Sequence, residues 1–111
     1  MSKEDQKKIE EQVERLIKAR GWEKFHTPAQ LVPALMVECS ELMNYCLWQD
    51  PEEINEKFRE GNEDIIKELA DIAINYYSII RYCGIDVEAI VTSKVDELLN
   101  RYSYLKPGEH R

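Results

Sequence analysis

The sequence predicts an all-α bundle of four main helices with one short extra helix. Three observations lead there. Apolar residues recur at helical spacing through most of the chain, as in Ile9, Val13, Leu16 and Ile17. No segment alternates apolar and polar residues as a half-buried strand would. Start and stop signals divide the chain into segments joined by short connections, the stretch 49 to 62 excepted.

The first helix is expected over residues 4 to 20, closed by Gly21, which suits the left-handed position after a last helical turn. Trp22, Glu23, Lys24, Phe25 and His26 form a connector, its rings either plugging the bundle's end or walling a pocket for a flat ligand. Thr27, Pro28 and Gln30 read as N-cap, first helical position and the partner of a capping box. Pro33 lacks a backbone donor, so the second helix is expected to kink or begin there and to reach about Trp48. Leu31, Leu35, Leu42, Met43 and Cys46 are its expected core contacts. Trp48 is either a core cap or a second pocket wall.

Asp50 and Pro51 should open a short helix carrying Ile54 and Phe58, ended by Gly61 and Asn62, one of which caps the next helix. That helix runs to Tyr82 or Cys83 and is apolar almost all round, as expected of a central or interface helix. Gly84 stops it. Asp86 is the N-cap of the last helix, with Ile85 able to staple against Ile90. Ile90, Val91, Val95, Leu98 and Tyr102 are assigned to its core face. Lys94 and Arg101, seven apart on one side, are either solvated bases or groups that reach phosphates. Residues 103 to 111 read as a loose tail, and 1 to 111 as a single domain with its core at about 4 to 102.

Composition narrows the function. A chain of 111 residues with 43% hydrophobic and 33% charged residues is ordinary for a soluble helical domain. The net charge of −7 argues against a general nucleic-acid binder. No apolar run is long enough for a membrane span, and the N-terminus lacks a signal-peptide core. Cys39, Cys46 and Cys83 sit in apolar helical contexts and are expected as buried free thiols in a reducing, cytoplasmic setting.

The chemistry is concentrated in two acid pairs, Glu38 with Glu41 and Glu68 with Asp71. Residues at i and i+3 share one side of a helix, about 4.5 Å apart along its axis. Most such pairs in a charged chain are solvated. Here the neighbours are apolar: Leu35, Met36, Val37, Cys39 and Leu42 around the first pair, Ile65, Ile66, Leu69 and Ile72 around the second. If the two helices face each other, four carboxylates converge and must protonate, meet open water or hold a cation. An all-oxygen set suits a hard divalent ion, Mg²⁺ or its substitute Mn²⁺.

This arrangement resembles the MazG-type all-α nucleoside triphosphate pyrophosphohydrolases. The resemblance rests on Glu38, Glu41, a spacer of 26 residues, then Glu68 and Asp71. The longer run of Trp22, Phe25, His26, Pro28, Leu35, Leu42 and Trp48, with Ser93, Lys94, Asp96, Arg101 and Tyr102, is similar to the dCTP pyrophosphatase branch. The family implies Mg²⁺-dependent hydrolysis of a nucleoside triphosphate, dCTP-like or a modified pyrimidine, to monophosphate and pyrophosphate. It also implies a homodimer or homotetramer. By the same resemblance Glu38, Glu41, Glu68 and Asp71 are the catalytic metal ligands, and Trp22, Phe25, His26 and Trp48 line the base and sugar pocket. Two positions depart from the branch: Val13 stands where those enzymes carry a histidine, and Asn75 where they carry a tyrosine. Asn75 and His26 are available for hydrogen bonds that choose a base.

Two other readings compete. A di-iron carboxylate bundle needs Glu-x-x-His on two helices, and neither His26 nor His110 lies in an acid helix. A catalytically weak nucleotide-binding, dimerisation or regulatory module would use the acids only to coat a groove.

Overall fold

The computed structural model describes residues 2 to 109, and His110 lies outside them. Among these residues five α-helices follow one another: α1 (Lys3–Arg20), α2 (Pro28–Asn44), α3 (Pro51–Arg59), α4 (Glu63–Cys83) and α5 (Val87–Arg101), with one 3₁₀ turn at Glu23–Phe25 between α1 and α2. No strand occurs among the described residues, as the failed alternation predicts. No helix among them is long and apolar enough to cross a membrane.

Local chemistry sets the helix ends. Ser2 and Asp5 form a reciprocal capping box at the start of α1, a signal that the sequence reading passed over. Gly21 and Gly84 close α1 and α4 at φ 65° and 66°, left-handed values that a Cβ disfavours. Asp50, Asn62 and Asp86 each accept a backbone N–H from the first turn of α3, α4 and α5.

Helix α2 bears out the Thr27–Pro28 start signal and corrects the sequence reading at its other end. It starts at Pro28 and continues through Pro33. Leu31, buried to 3% exposure, anchors the first turn, and Pro33 removes only one backbone bond from it. The expected capping box at Thr27 is not formed, because its hydroxyl donates to the side-chain oxygen of Gln30 instead of accepting a backbone N–H. At the other end α2 stops at Asn44, and the chain turns through Tyr45, Cys46 and Leu47 to Trp48.

Helix α2 packs most extensively on α4, α4 also carries α1, and α5 touches α1 lightly. The buried core at the α1–α4 contact is Val13, Ile17 and Tyr77, flanked by Ile9, Tyr76 and Val87. Gln6, also buried, donates to the Ile85 carbonyl at 2.7 Å and accepts from the Val87 N–H at 2.8 Å. One side chain on α1 thereby fixes the α4–α5 connection.

Several expected core residues lie on the surface. Met43, Ile90, Val91 and Val95 are exposed, and α5 contributes no buried residue. The thiols are free, but Cys46 and Cys83 are exposed and Cys39 is half-buried. Helical periodicity tells which residues share a face and not whether this chain alone covers that face.

Candidate functional site

The site grows from the α2–α4 contact. Glu38 and Glu41 lie one turn apart on α2, and Glu68 projects from the second turn of α4, which the Asn62 cap begins. Oxygen atoms from the three carboxylates all lie within 4.8 Å of one another. Glu38 and Glu68 are half-buried, whereas Glu41 is exposed.

The electrostatics of this cluster are unfavourable without a cation. The Glu38 carboxyl, burial and the Glu41 carboxyl together push the Glu68 carboxyl up to about 7. Its Oε1 is shielded from water and has no hydrogen-bond partner, since its polar neighbours are acceptors like itself. A buried, unpaired carboxylate oxygen is costly unless a proton or a cation joins it. Three hard oxygen donors facing one another fit a divalent cation of the magnesium or calcium type.

Of the four acids expected to converge, the structure gathers three. Asp71 lies one turn beyond Glu68 on α4, exposed and outside the three-carboxylate group. Its backbone carbonyl accepts from the Asn75 side-chain amide at 3.1 Å. Beside the cluster is an open cleft of about 360 Å³ lined by Glu41, Asn44, Tyr45 and Glu68. Asn44 and Tyr45 were missed in the sequence. Their positions three and four residues after Glu41 put them on its face, and that spacing was the available signal.

The aromatic residues occupy other places. Trp22 stacks on His26 with ring centroids 5.6 Å apart and planes 5° from parallel, and the Arg20 guanidinium lies 6.0 Å from the Trp22 ring. His26 Nδ1 is 3.3 Å from the Trp22 carbonyl oxygen. Phe25 is exposed. Trp48 is 98% exposed, which rules out the core cap, and holds φ at 59°, rare for a bulky side chain. None of these rings lines the cleft beside the carboxylates. Lys94 and Arg101 both pair with Glu97 on their own helix. Val13 is a core residue, packed with Ile17 and Tyr77.

The helical arrangement is like that of a pyrophosphatase from Archaeoglobus fulgidus, with a TM-score of 0.75 at 24% identity over 83% of this chain and 86% of that one. The fold is thus that of an all-α pyrophosphatase. In sequence the chain is 32% identical over 85 residues to dCTP pyrophosphatase 1 of Rattus norvegicus and 33% identical over 85 residues to that of Bos taurus, covering 75% of this chain in each case. The Homo sapiens protein of the same name is 32% identical over 87 residues, or 77% of this chain. The chain spans about half the length of these curated relatives. No family model matches it. The likenesses of sequence and fold together support a place for the chain in the MazG-like nucleoside triphosphate pyrophosphatase family.

Proposed function

We propose that this chain is a Mg²⁺-dependent nucleoside triphosphate pyrophosphohydrolase that converts dCTP or a related pyrimidine triphosphate to its monophosphate and pyrophosphate. The observation that carries the reading is the shielded, unpaired Glu68 oxygen facing Glu38 and Glu41 across the α2–α4 contact. Those three carboxylates hold the cation, and Asp71 stands one turn away as the fourth acid of the set. Magnesium bound there supplies charge against the triphosphate and lowers the pKa of a nearby water.

The chain's own groups position the substrate. Asn44 and Tyr45 line the cleft beside the carboxylates and offer hydrogen bonds to a sugar or phosphate. Trp48, exposed just past the end of α2, offers a face for stacking a base, as do Phe25 and the Trp22–His26 pair. Asn75 is half-buried one turn beyond Asp71 and takes part in the choice of base. The work asked of the protein is largely orientation and charge stabilisation, as in other phosphoryl transfers. The working form is a cytoplasmic homodimer or homotetramer.

The test is a panel of deoxynucleoside and nucleoside triphosphates incubated with the protein and Mg²⁺, with products separated by anion exchange. The expected result is a pyrimidine monophosphate and pyrophosphate in equal amounts. If no triphosphate is consumed above the blank, a binding or regulatory module replaces the enzyme reading.

A further inference from the structure

The cleft beside the carboxylates has a second wall of different chemistry. Asn44 and Tyr45 follow Glu41 by three and four residues, about 4.5 and 6 Å further along the axis of α2. With Glu41 and Glu68 they line an open cleft of about 360 Å³, room for a small organic group. Tyr45 is half-buried and Asn44 exposed. Neither the phenol nor the amide has a hydrogen-bond partner among the described residues. Ser40 on α2 and Asn75 and Ser78 on α4 instead donate to carbonyls of their own helices. Two unspent donors therefore face the cleft.

Charge decides what kind of group those donors meet. Glu41 and Glu68 are acids, and no lysine, arginine or histidine lines the cleft. The cleft lies at the carbonyl end of α2, whose last turn carries no basic residue, so the helix dipole adds to the negative potential. Lys67, next to Glu68 in the chain, pairs with Glu63 at 3.1 Å. A phosphate on Asn44 and Tyr45 would meet two neutral donors among like charges, so phosphates are better served by a cation at the carboxylates. A hydroxyl suits this wall, since it accepts from the amide or the phenol and donates to a carboxylate. Covalent order agrees. In a nucleotide the sugar joins phosphate to base; here the carboxylates come first, Asn44 and Tyr45 next, and the exposed Trp48 ring three residues later.

We propose that Asn44 and Tyr45 are specificity residues that bind the sugar of the nucleotide, holding its 3′-hydroxyl. In a 2′-deoxynucleoside 5′-triphosphate that is the sugar's one free hydroxyl, so it is the group this wall reads. Nucleotides that lack it leave both donors unpaired and bind poorly. This rests on the hydrolase reading and goes beyond it by deciding between the sugar and the phosphates.

The test uses the full chain with Mg²⁺ and three probes: dCTP, its 2′,3′-dideoxy analogue and inorganic triphosphate. Equilibrium binding is measured for each, and KM and kcat wherever hydrolysis occurs. The wild type is expected to bind the dideoxy analogue about tenfold more weakly than dCTP, the worth of one hydrogen bond. Tyr45→Phe keeps the ring and Asn44→Ala lies at an exposed position; each should weaken dCTP binding about tenfold, chiefly through KM, and add no further loss with the dideoxy analogue. Equal losses on dCTP and the dideoxy analogue overturn the sugar assignment. So does weaker binding of inorganic triphosphate, which would put the donors on phosphate. Variants that treat all three probes as the wild type does overturn this inference and leave the hydrolase reading intact. A wild type that binds none of the three overturns both. If dCTP binds without being hydrolysed, the enzyme reading fails and the affinities alone decide the sugar assignment.

Discussion

Glu68 is the residue on which the site turns, because its carboxyl meets two others at a place where water cannot reach one of its oxygens. Its raised value of about 7 compares with 4.5 for an ordinary glutamate. The unfolded chain ionises this group near 4.5 and the folded chain near 7, so the folded state holds the proton more tightly. The stabilisation is full below 4.5 and is lost as pH rises through 7. Metal-free protein should therefore melt at falling temperatures from pH 4.5 to 7.5, and saturating Mg²⁺ should flatten that profile. Glu68→Gln should abolish the slope and raise the metal-free melting temperature at pH 7.5. Glu41→Gln and Asp71→Asn should each remove turnover while leaving the helical circular dichroism intact; retained activity in both would place the cation elsewhere. Trp48 is almost wholly exposed, so Trp48→Ala should leave the melting temperature unchanged and weaken nucleotide affinity about tenfold, the worth of one stacked ring.

At the scale of the element, the clearest dependence runs from α1 to the α4–α5 connection through Gln6. Gln6→Leu would strand the Ile85 carbonyl and the Val87 N–H, and should cost about 1–3 kcal/mol by urea unfolding. Asn62→Ala should cost about 1 kcal/mol, because the side chain caps two N–H groups at the head of the helix that carries Glu68 and Asp71. These elements also show what the sequence discloses. Helix identity, the Gly21 and Gly84 stops and the Asp50 and Asp86 caps follow local rules of spacing and backbone conformation, and all were legible. So was the meeting of Glu38 and Glu41 with Glu68, since each pair interrupts an apolar run. Gln6 was not legible, because nothing local distinguishes a buried glutamine that bridges 79 residues from a surface one. The exit of α2 at Asn44 and the exposure of Trp48 depend on a turn that no glycine or proline announces.

For the whole molecule, the decisive fact is that this chain leaves so much apolar surface bare. Val32, Met36 and Met43 on α2 and Ile66 and Leu69 on α4 are exposed, in addition to α5. Of the exposed residues, the sequence reading assigned Met43, Ile90, Val91 and Val95 to a core by their periodicity, and periodicity does not say whether the shared face is covered. The likeness to dCTP pyrophosphatase 1 covers three quarters of the chain, while the site itself is defined by two helices, α2 and α4.

The most direct measurement on that site is calorimetric titration of Mg²⁺ into the wild-type protein near pH 7, in buffers of different ionisation enthalpy. Saturable binding accompanied by proton release is expected, as the cation displaces the proton that Glu68 holds at this pH, with both signals lost in Glu38→Gln and Glu68→Gln. Binding that is absent from the wild type, or unchanged in both variants, would contradict that expectation.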